Sequence, residues 1–291
     1  MDYLLYLIFV GLGNLIALVP FRILYLISDA VYPLIYYVFK YRKKVVFANL
    51  RNSFPEKSDE EIIAIAKKFY KHFCDLFFEV IKTVRISSKE YVKRLHYSNP
   101  EVMEQLYNEN RHVLVIMSHY CNWEWGVSLA MQGKHKFASI YKPLNNKYFD
   151  KLMIHLRTRH GGVMVSMKQT ARYLAEHFHS GELTLLNFLV DQSPYYKDIQ
   201  YWTTFLNQDT AVYLGVEKMA RKTRQTVVFN KYRKVKRGYY EVEVVKICDD
   251  ASKLEQYELT EMHTKILESI IKEQPEYWLW THKRWKNKRV S

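Results

Sequence analysis

Val113-Leu114-Val115-Ile116-Met117 is a short continuous apolar run, and Ser118-His119-Tyr120-Cys121-Asn122-Trp123-Glu124 follows it directly. Five apolar residues without alternation are typical of a strand that is covered on both faces of a sheet. Ligands of open α/β sheets bind beyond the carboxyl ends of the strands. The polar block after Met117 therefore lies where a functional site is expected.

Similar apolar runs occur along the rest of the chain, and helical patterns separate them. The runs are Phe137 to Tyr141, Leu183 to Val190 and Thr226 to Phe229. The helical patterns are Trp123 to Met131, Lys147 to Arg159, Gln169 to Phe178 and Val212 to Arg221. Strands that alternate with helices predict an α/β fold, with a central, mostly parallel or mixed sheet flanked by helices.

Three further elements complete the predicted fold. Ser58 and Glu61 form a capping box at the start of a long amphipathic helix that extends to about Lys82. Tyr239 to Ile247 alternates polar and apolar residues, which predicts an edge strand. Leu254 to Glu273 is the final amphipathic helix.

The amino-terminal region predicts membrane association. Residues 3–19 carry no charge and reach the lower limit of roughly 17 residues for a membrane span. Residues 23–39 are interrupted by Asp29 and Pro33, which favours an interfacial or re-entrant segment. Both could instead be core helices of a soluble protein. We predict membrane-associated helices over residues 1–40 and a second domain over residues 41–291.

The charge pattern predicts the side of the membrane and the kinds of partner. Arg42, Lys43 and Lys44 follow the apolar segments, which places the rest of the chain in the cytoplasm. The formal net charge of +14 fits nucleic acid, anionic lipid or an acidic carrier protein. The 24 tyrosines favour the membrane among these. The three cysteines have no Cys-x-x-Cys spacing, which indicates a reducing compartment and no metal site.

His119 and Glu124 are the candidate catalytic pair. On a continuous helix, residues five apart lie about 140° from each other and do not meet. If His119 lies in a turn and Asn122 caps a helix that begins at Trp123, the carboxylate can reach the imidazole. The carboxylate then holds one ring nitrogen protonated, and the other nitrogen can take a proton from a hydroxyl.

This block resembles the His-x4-Asp/Glu motif of the lysophospholipid acyltransferase superfamily, specifically its branch of lipid A secondary acyltransferases. Five more segments resemble that family in the same order: Ala48 to Pro55, Tyr141 to Leu144, Leu156 to Gly161, Val190 to Pro194 and Pro275 to Lys286. The resemblance thus covers residues 48–286.

The resemblance implies the roles of the site residues. His119 is the general base and Glu124 its partner, while Arg157, Asp191, Lys142 and Asn122 bind substrate, without a metal or cofactor. A guanidinium suits phosphate or a developing oxyanion, although a surface salt bridge is the alternative for Arg157. Asp191 orients a neighbouring or substrate group, or simply caps a turn. Lys142 stands where the family has Arg and loses the bidentate geometry.

The implied activity is the transfer of a fatty acyl group to a hydroxyl of a lipid A precursor. The implied donor is a thioester of acyl carrier protein or coenzyme A, at the inner (cytoplasmic) membrane with the catalytic domain facing the cytoplasm. Anionic lipid and the acidic carrier protein are the expected partners, and nucleic acid is not. The alternatives are transfer to a lysophospholipid or an aminolipid, and a noncatalytic membrane- or RNA-binding module.

Cys121 departs from the family, which often has Gly at this position. A thiol beside His119 is a candidate nucleophile, because a neighbouring imidazole lowers a thiol pKa. Two residues in one turn, however, rarely align as nucleophile and base. Transfer without an acyl-enzyme is therefore the favoured prediction.

Overall fold

A seven-stranded sheet forms the centre of the computed structural model, which describes residues 2–178 and 181–289. The strands are β1 (Leu95–Tyr97), β2 (Val113–Met117), β3 (Lys136–Tyr141), β4 (Val163–Ser166), β5 (Thr184–Leu189), β6 (Tyr201–Phe205), β7 (Gln208–Val212), β8 (Thr226–Lys236) and β9 (Tyr239–Cys248). The α-helices are α1 (Asp2–Leu18), α2 (Phe21–Pro33), α3 (Lys43–Ser53), α4 (Asp59–Lys82), α5 (Ser88–Arg94), α6 (Pro100–Asn108), α7 (Lys147–Thr158), α8 (Thr170–Phe178), α9 (Gly215–Thr223) and α10 (Glu258–Glu273).

The strand order across the sheet is β1-β9-β8-β2-β5-β3-β4, and β6 and β7 form a separate hairpin. All neighbours in the large sheet pair in parallel except β8 and β9, which form an antiparallel hairpin. β2 lies between β5 and β8, and all five of its side chains are buried. The predicted α/β fold with a mostly parallel sheet and flanking helices is confirmed.

Two predicted elements differ from the structure. β9 is not an edge strand, because it pairs with β1 as well as β8. Its alternation reflects one exposed face, and the three-residue β1 at the true edge is too short to give a pattern of its own. The helix predicted from Val212 begins at Gly215 instead, because residues up to Val212 complete the β6–β7 hairpin.

The long helix α4 begins with the predicted capping box. The Glu61 amide donates to Ser58 Oγ at 3.3 Å, and the Ser58 amide donates to Glu61 Oε2 at 2.9 Å. These two bonds satisfy amides that have no partner within the first turn of a helix. The buried side of α4 carries Asp75, which binds α2, and Glu79, which supports the site described below.

The amino-terminal helices present a wide apolar surface. Its most exposed large side chains, all at least 60% exposed, are Leu15, Leu18, Leu26, Val38 and Phe39. α1 has 17 residues, or roughly 25 Å of helix at 1.5 Å per residue, which is shorter than a bilayer core of about 30 Å. Within the described residues, Phe21–Val38 is the one helical stretch long and apolar enough to span a membrane. By length and composition alone, the candidate span is therefore this second segment and not residues 3–19.

Polar contacts bind α2 to the rest of the protein. Tyr25 Oη donates to Glu79 at 2.9 Å, and Ser28 Oγ donates to Asp75 at 2.8 Å. The guanidinium of Arg237, in the turn between β8 and β9, binds both carboxylate oxygens of Asp29. The polar face of α2 is thus held against α4 and the β8–β9 turn, and its apolar face points away from the protein. This arrangement is typical of a helix that lies in an interface.

Candidate active site

His119 and Asp191 meet because of the register of two parallel strands. Met117 at the end of β2 pairs with Leu189 at the end of β5. His119 and Asp191 each follow their strand by two residues, so the two side chains leave the same edge of the sheet side by side. His119 Nδ1 lies 2.7 Å from Asp191 Oδ1, and the His119 amide donates to Asp191 Oδ2 at 3.0 Å.

Asp191 is held as a carboxylate. Its side chain is only 2% exposed, and Trp278 Nε1 donates to Oδ2 at 2.8 Å. Burial raises the pKa of Asp191, but the imidazole of His119 and the three N–H donors outweigh burial and bring the pKa below its usual value. An ionised carboxylate at Nδ1 keeps that nitrogen protonated and leaves the lone pair of Nε2 free to accept a proton.

Glu124 makes no hydrogen bond or ion pair to His119 among the described residues, which differs from the predicted pairing. Its carboxylate binds the guanidinium of Arg157 instead, with Nη2 at 2.6 Å from Oε1 and Nε at 3.1 Å from Oε2. The short 3-10 helix Trp123–Met131 carries Glu124 away from the imidazole and toward α7, whose last turn holds Arg157. The pair is bidentate, and its side chains are 19% and 24% exposed.

The free face of His119 opens into a cleft. Gln192 Nε2 lies 3.1 Å from His119 Nε2, so the amide donates to the unprotonated ring nitrogen. The ring of Trp123 packs edge-on against the imidazole, with centroids 5.0 Å apart. The side chain of His119 remains 15% exposed. A hydroxyl that displaced Gln192 would reach the basic nitrogen of His119.

Residues 277–282, called the Trp-rich segment below, complete the surroundings of His119. Tyr120 and Trp278 form an antiparallel bridge, the Cys121 amide donates to the Tyr277 carbonyl, and the Leu279 amide donates to the His119 carbonyl. The same segment supplies Trp278 to Asp191 and His282 to the cleft. Burial lowers the pKa of His282 to about 4, so this imidazole is neutral at pH 7. The Trp-rich segment thus fixes the loop that carries His119.

Asn122 does not line the cleft, which corrects its assignment to substrate binding. Its side chain is fully buried and accepts from the Trp125 amide at 3.2 Å, so it caps the 3-10 helix as predicted. Its amide nitrogen donates to Glu79 Oε2 at 2.7 Å. Asn122 therefore positions the loop after His119 rather than a substrate.

The carboxylate of Glu79 holds the loop after His119 in place. Three donors converge on its carboxylate: Tyr25 Oη at 2.9 Å, Tyr240 Oη at 2.8 Å and Asn122 Nδ2. We expect Glu79→Ala to lower the free energy of unfolding by about 3 kcal/mol, because it leaves three polar groups without their partner. Chemical denaturation in detergent measures the change. Glu60→Ala, at an exposed position of the same helix, is the control, and equal losses in both variants would contradict the anchoring role.

Cys121 is unsuited to nucleophilic chemistry. Its side chain is completely buried, and burial raises the pKa of the thiol well above its usual value, so the thiolate does not form. Cys121 has a φ of 51°, in the left-handed region that glycine adopts most easily. This backbone conformation explains why glycine suits the position.

The cleft beside His119 has a volume of about 590 Å³ and is mostly apolar. Its apolar side chains include Met117, Val127, Met164, Phe188 and Met219. Arg157 and Glu124 line it as a pair, and Lys142 lies at its mouth beside Tyr195, whose hydroxyl it contacts. The cleft therefore joins a basic nitrogen to an apolar chamber with cations at its mouth.

Of the six predicted site residues, His119, Glu124, Arg157 and Lys142 line this cleft, and Asp191 lies directly behind His119. Sequence reasoning missed Gln192, Trp278 and His282 as neighbours of the imidazole. The pairing of His119 with Asp191 had a signal in the sequence, because both follow apolar strands by the same short interval. No pattern in the sequence predicts that Trp278 contacts Asp191.

The comparison with known families gives one result. A family model described as bacterial lipid A biosynthesis acyltransferase matches residues 1–287. The match includes the amino-terminal helices, the cleft and the Trp-rich segment. The chain matches no curated protein.

Proposed function

The chain belongs to the family of bacterial lipid A biosynthesis acyltransferases, and we propose that it transfers a fatty acyl group from a thioester to a hydroxyl of a lipid A precursor. The observation that carries the proposal is the imidazole of His119, held by a buried carboxylate and open to an apolar cleft. A base of this kind suits proton removal from an alcohol, and the chamber suits an acyl chain.

In the proposed reaction, the acceptor hydroxyl displaces the amide of Gln192 from His119 Nε2. Nε2 takes the hydroxyl proton as the oxygen attacks the thioester carbonyl, and Asp191 stabilises the imidazolium. Collapse of the tetrahedral intermediate breaks the carbon–sulfur bond and forms the ester. The leaving thiolate takes the proton from the imidazolium, which returns His119 to its starting state.

Glu124 has a different role in this proposal from the one that its motif suggests. It orients Arg157 in the wall of the cleft through the bidentate pair. Nη1 of Arg157 has no hydrogen-bond partner among residues 2–178 and 181–289, and so remains available to the developing oxyanion or to a phosphate. Backbone amides are the other candidate donors to the oxyanion.

Charge supports acyl carrier protein as the donor. Lys142 and Lys286 both line the cleft and both lie near the ring of Tyr195, at 4.6 and 5.7 Å from its centroid. An acidic carrier protein is attracted to such a surface, and the same charge favours anionic lipid headgroups. We place the protein at the inner membrane, with the cleft on the cytoplasmic side.

Transfer assays with purified full-length protein test the function. Acyl carrier protein and coenzyme A thioesters are each offered with a lipid A precursor, a lysophospholipid or an aminolipid, and mass spectrometry detects the product. We expect acyl transfer from the carrier protein to the lipid A precursor. Transfer to a lysophospholipid alone would overturn the proposed acceptor. In a deletion strain, lipid A should lack one acyl chain.

Membrane attachment is testable through the exposed face of the amino-terminal segment. Leu26 and Phe39 are 68% and 70% exposed. Replacing both by Glu is expected to weaken binding to anionic vesicles about tenfold or more, because each apolar side chain contributes roughly 1.5–3 kcal/mol on burial. Vesicle cosedimentation measures the change. Tyr196→Glu, at a position that is 64% exposed and lies outside the amino-terminal segment, is the control. Equal binding by all three proteins would contradict this role of the face.

The role of Cys121 is tested by Cys121→Ala. We expect kcat to stay within the same order of magnitude, because the buried thiol takes no part in the chemistry. Steady-state transfer rates of both proteins provide the measurement. A loss as large as that caused by removing His119 would instead indicate a covalent acyl-enzyme.

A further inference from the structure

The cleft begins where two neighbouring strands separate. β3 and β5 pair from Lys136↔Thr184 to Ser139↔Asn187, and no pairing of the two strands follows within the described residues. The next residues of both strands, Ile140 and Phe188 among them, line the cleft instead. The cleft is therefore a wedge between β3 and β5, with Ser139 and Asn187 as the last pair at its base.

The base of this wedge is polar, although the walls are apolar. Asn187 is 2% exposed and Ser139 is 8% exposed, and both line the cleft. The carboxamide oxygen of Asn187 has no hydrogen-bond partner in the part of the chain that the structure describes. Thr170, which also lines the cleft, donates its hydroxyl to backbone carbonyls of residues 166 and 167. Asn187 is thus a buried acceptor that lacks a donor.

An unpartnered amide at the base of an apolar chamber has a chemical consequence. A plain hydrocarbon chain that filled the wedge would exclude water from Asn187 and leave its oxygen without a hydrogen bond, which is unfavourable. A chain that carries a hydroxyl supplies the missing donor. Asn187 and Ser139 are buried, whereas the lysines of the cleft that suit a headgroup, Lys142 and Lys286, are exposed. The group that reaches the base therefore belongs to the acyl chain.

We propose that the wedge between β3 and β5 selects an acyl donor with a hydroxylated chain, whose hydroxyl donates to Asn187. The inference rests on the proposed acyl transfer and adds the class of the donor. Asn187 acts as a specificity-determining residue, and Ser139 is the second polar group beside the hydroxyl.

The test compares acyl carrier protein loaded with dodecanoyl or with hydroxydodecanoyl chains that differ in the position of the hydroxyl. Wild-type protein is expected to use at least one hydroxylated donor with kcat/KM about tenfold or more above the plain donor, since a site built for a hydrogen bond rejects the analogue that lacks it. Equal or lower values for every hydroxylated donor would overturn the proposal, and would mean that water occupies the base of the wedge.

Two variants test whether Asn187 causes the preference for a hydroxylated donor. Asn187→Leu has a similar volume without the acceptor, and should shift the donor ratio toward the plain chain by about tenfold or more. Asn52→Leu, the same change at an exposed position of α3 outside the cleft, is the control and should leave the ratio unchanged. An unaltered ratio in Asn187→Leu would overturn the role of this residue. Transfer of all donors without preference contradicts only this inference, whereas transfer of none contradicts the proposed function itself.

Discussion

Replacement of His119 by alanine is expected to lower kcat about 10³-fold, within the range of 10²–10⁴ that general bases contribute. The reason is geometric, because Nε2 of His119 is the basic nitrogen that faces the cleft and is backed by a buried carboxylate. Single-turnover transfer from acyl carrier protein measures the chemical step apart from product release.

A second substitution separates loss of the base from loss of structure. His119→Gln keeps most of the side-chain volume and should be as inactive as His119→Ala, while both variants unfold near the wild-type temperature. If either variant transferred acyl groups as fast as the wild type, the assignment of the base would fail.

Replacement of Asp191 by asparagine is expected to have the next largest effect, a loss in kcat of about 10²–10⁴-fold. The amide has the shape of the carboxylate, but it does not stabilise the imidazolium and can favour the wrong tautomer of His119. Both oxygens of Asp191 accept bonds from His119 or Trp278 in the wild type. The loss should appear in kcat rather than in KM, because the imidazolium forms during the reaction.

Glu124→Gln is the matched control for this experiment. Both substitutions convert a carboxylate to an amide within the same site, but Glu124 contacts Arg157 and not His119. We expect Glu124→Gln to cost about tenfold, since the amide still accepts one bond from the guanidinium. A larger loss in Glu124→Gln than in Asp191→Asn would show that the carboxylate of the motif is the one that acts on His119.

The fold was predictable where one strand or helix carried a complete pattern. β2, β3 and β5 are mostly apolar runs because helices cover both faces of the sheet. The start of α4 is predicted by its capping box. The short edge strand β1 and the β6–β7 hairpin were not predicted, because these strands have too few residues to show a clear pattern. Their pairing depends on neighbours distant in sequence.

The carboxylate that is hydrogen-bonded to His119 differs from the predicted one for the same physical reason. Spacing within the motif describes only local geometry, and Glu124 is near His119 in sequence but turned toward α7. Asp191 is distant in sequence and is brought close by the pairing of β2 with β5. Strand order is set by packing of the whole sheet, which a single sequence reveals only in part. The positions of the strands were predictable, and their adjacency was not.

The docking of Trp278 on Asp191 and of residues 277–279 beside the His119 loop has a consequence for the order of events in the cell. During synthesis the apolar helices α1 and α2 leave the ribosome early, and the Trp-rich segment leaves it much later. The amino-terminal helices are thus complete while the loop of His119 still lacks the contacts that orient it. On the proposed function, the site is complete only after synthesis has passed residues 277–279, so that acyl transfer cannot precede the folding of the whole chain.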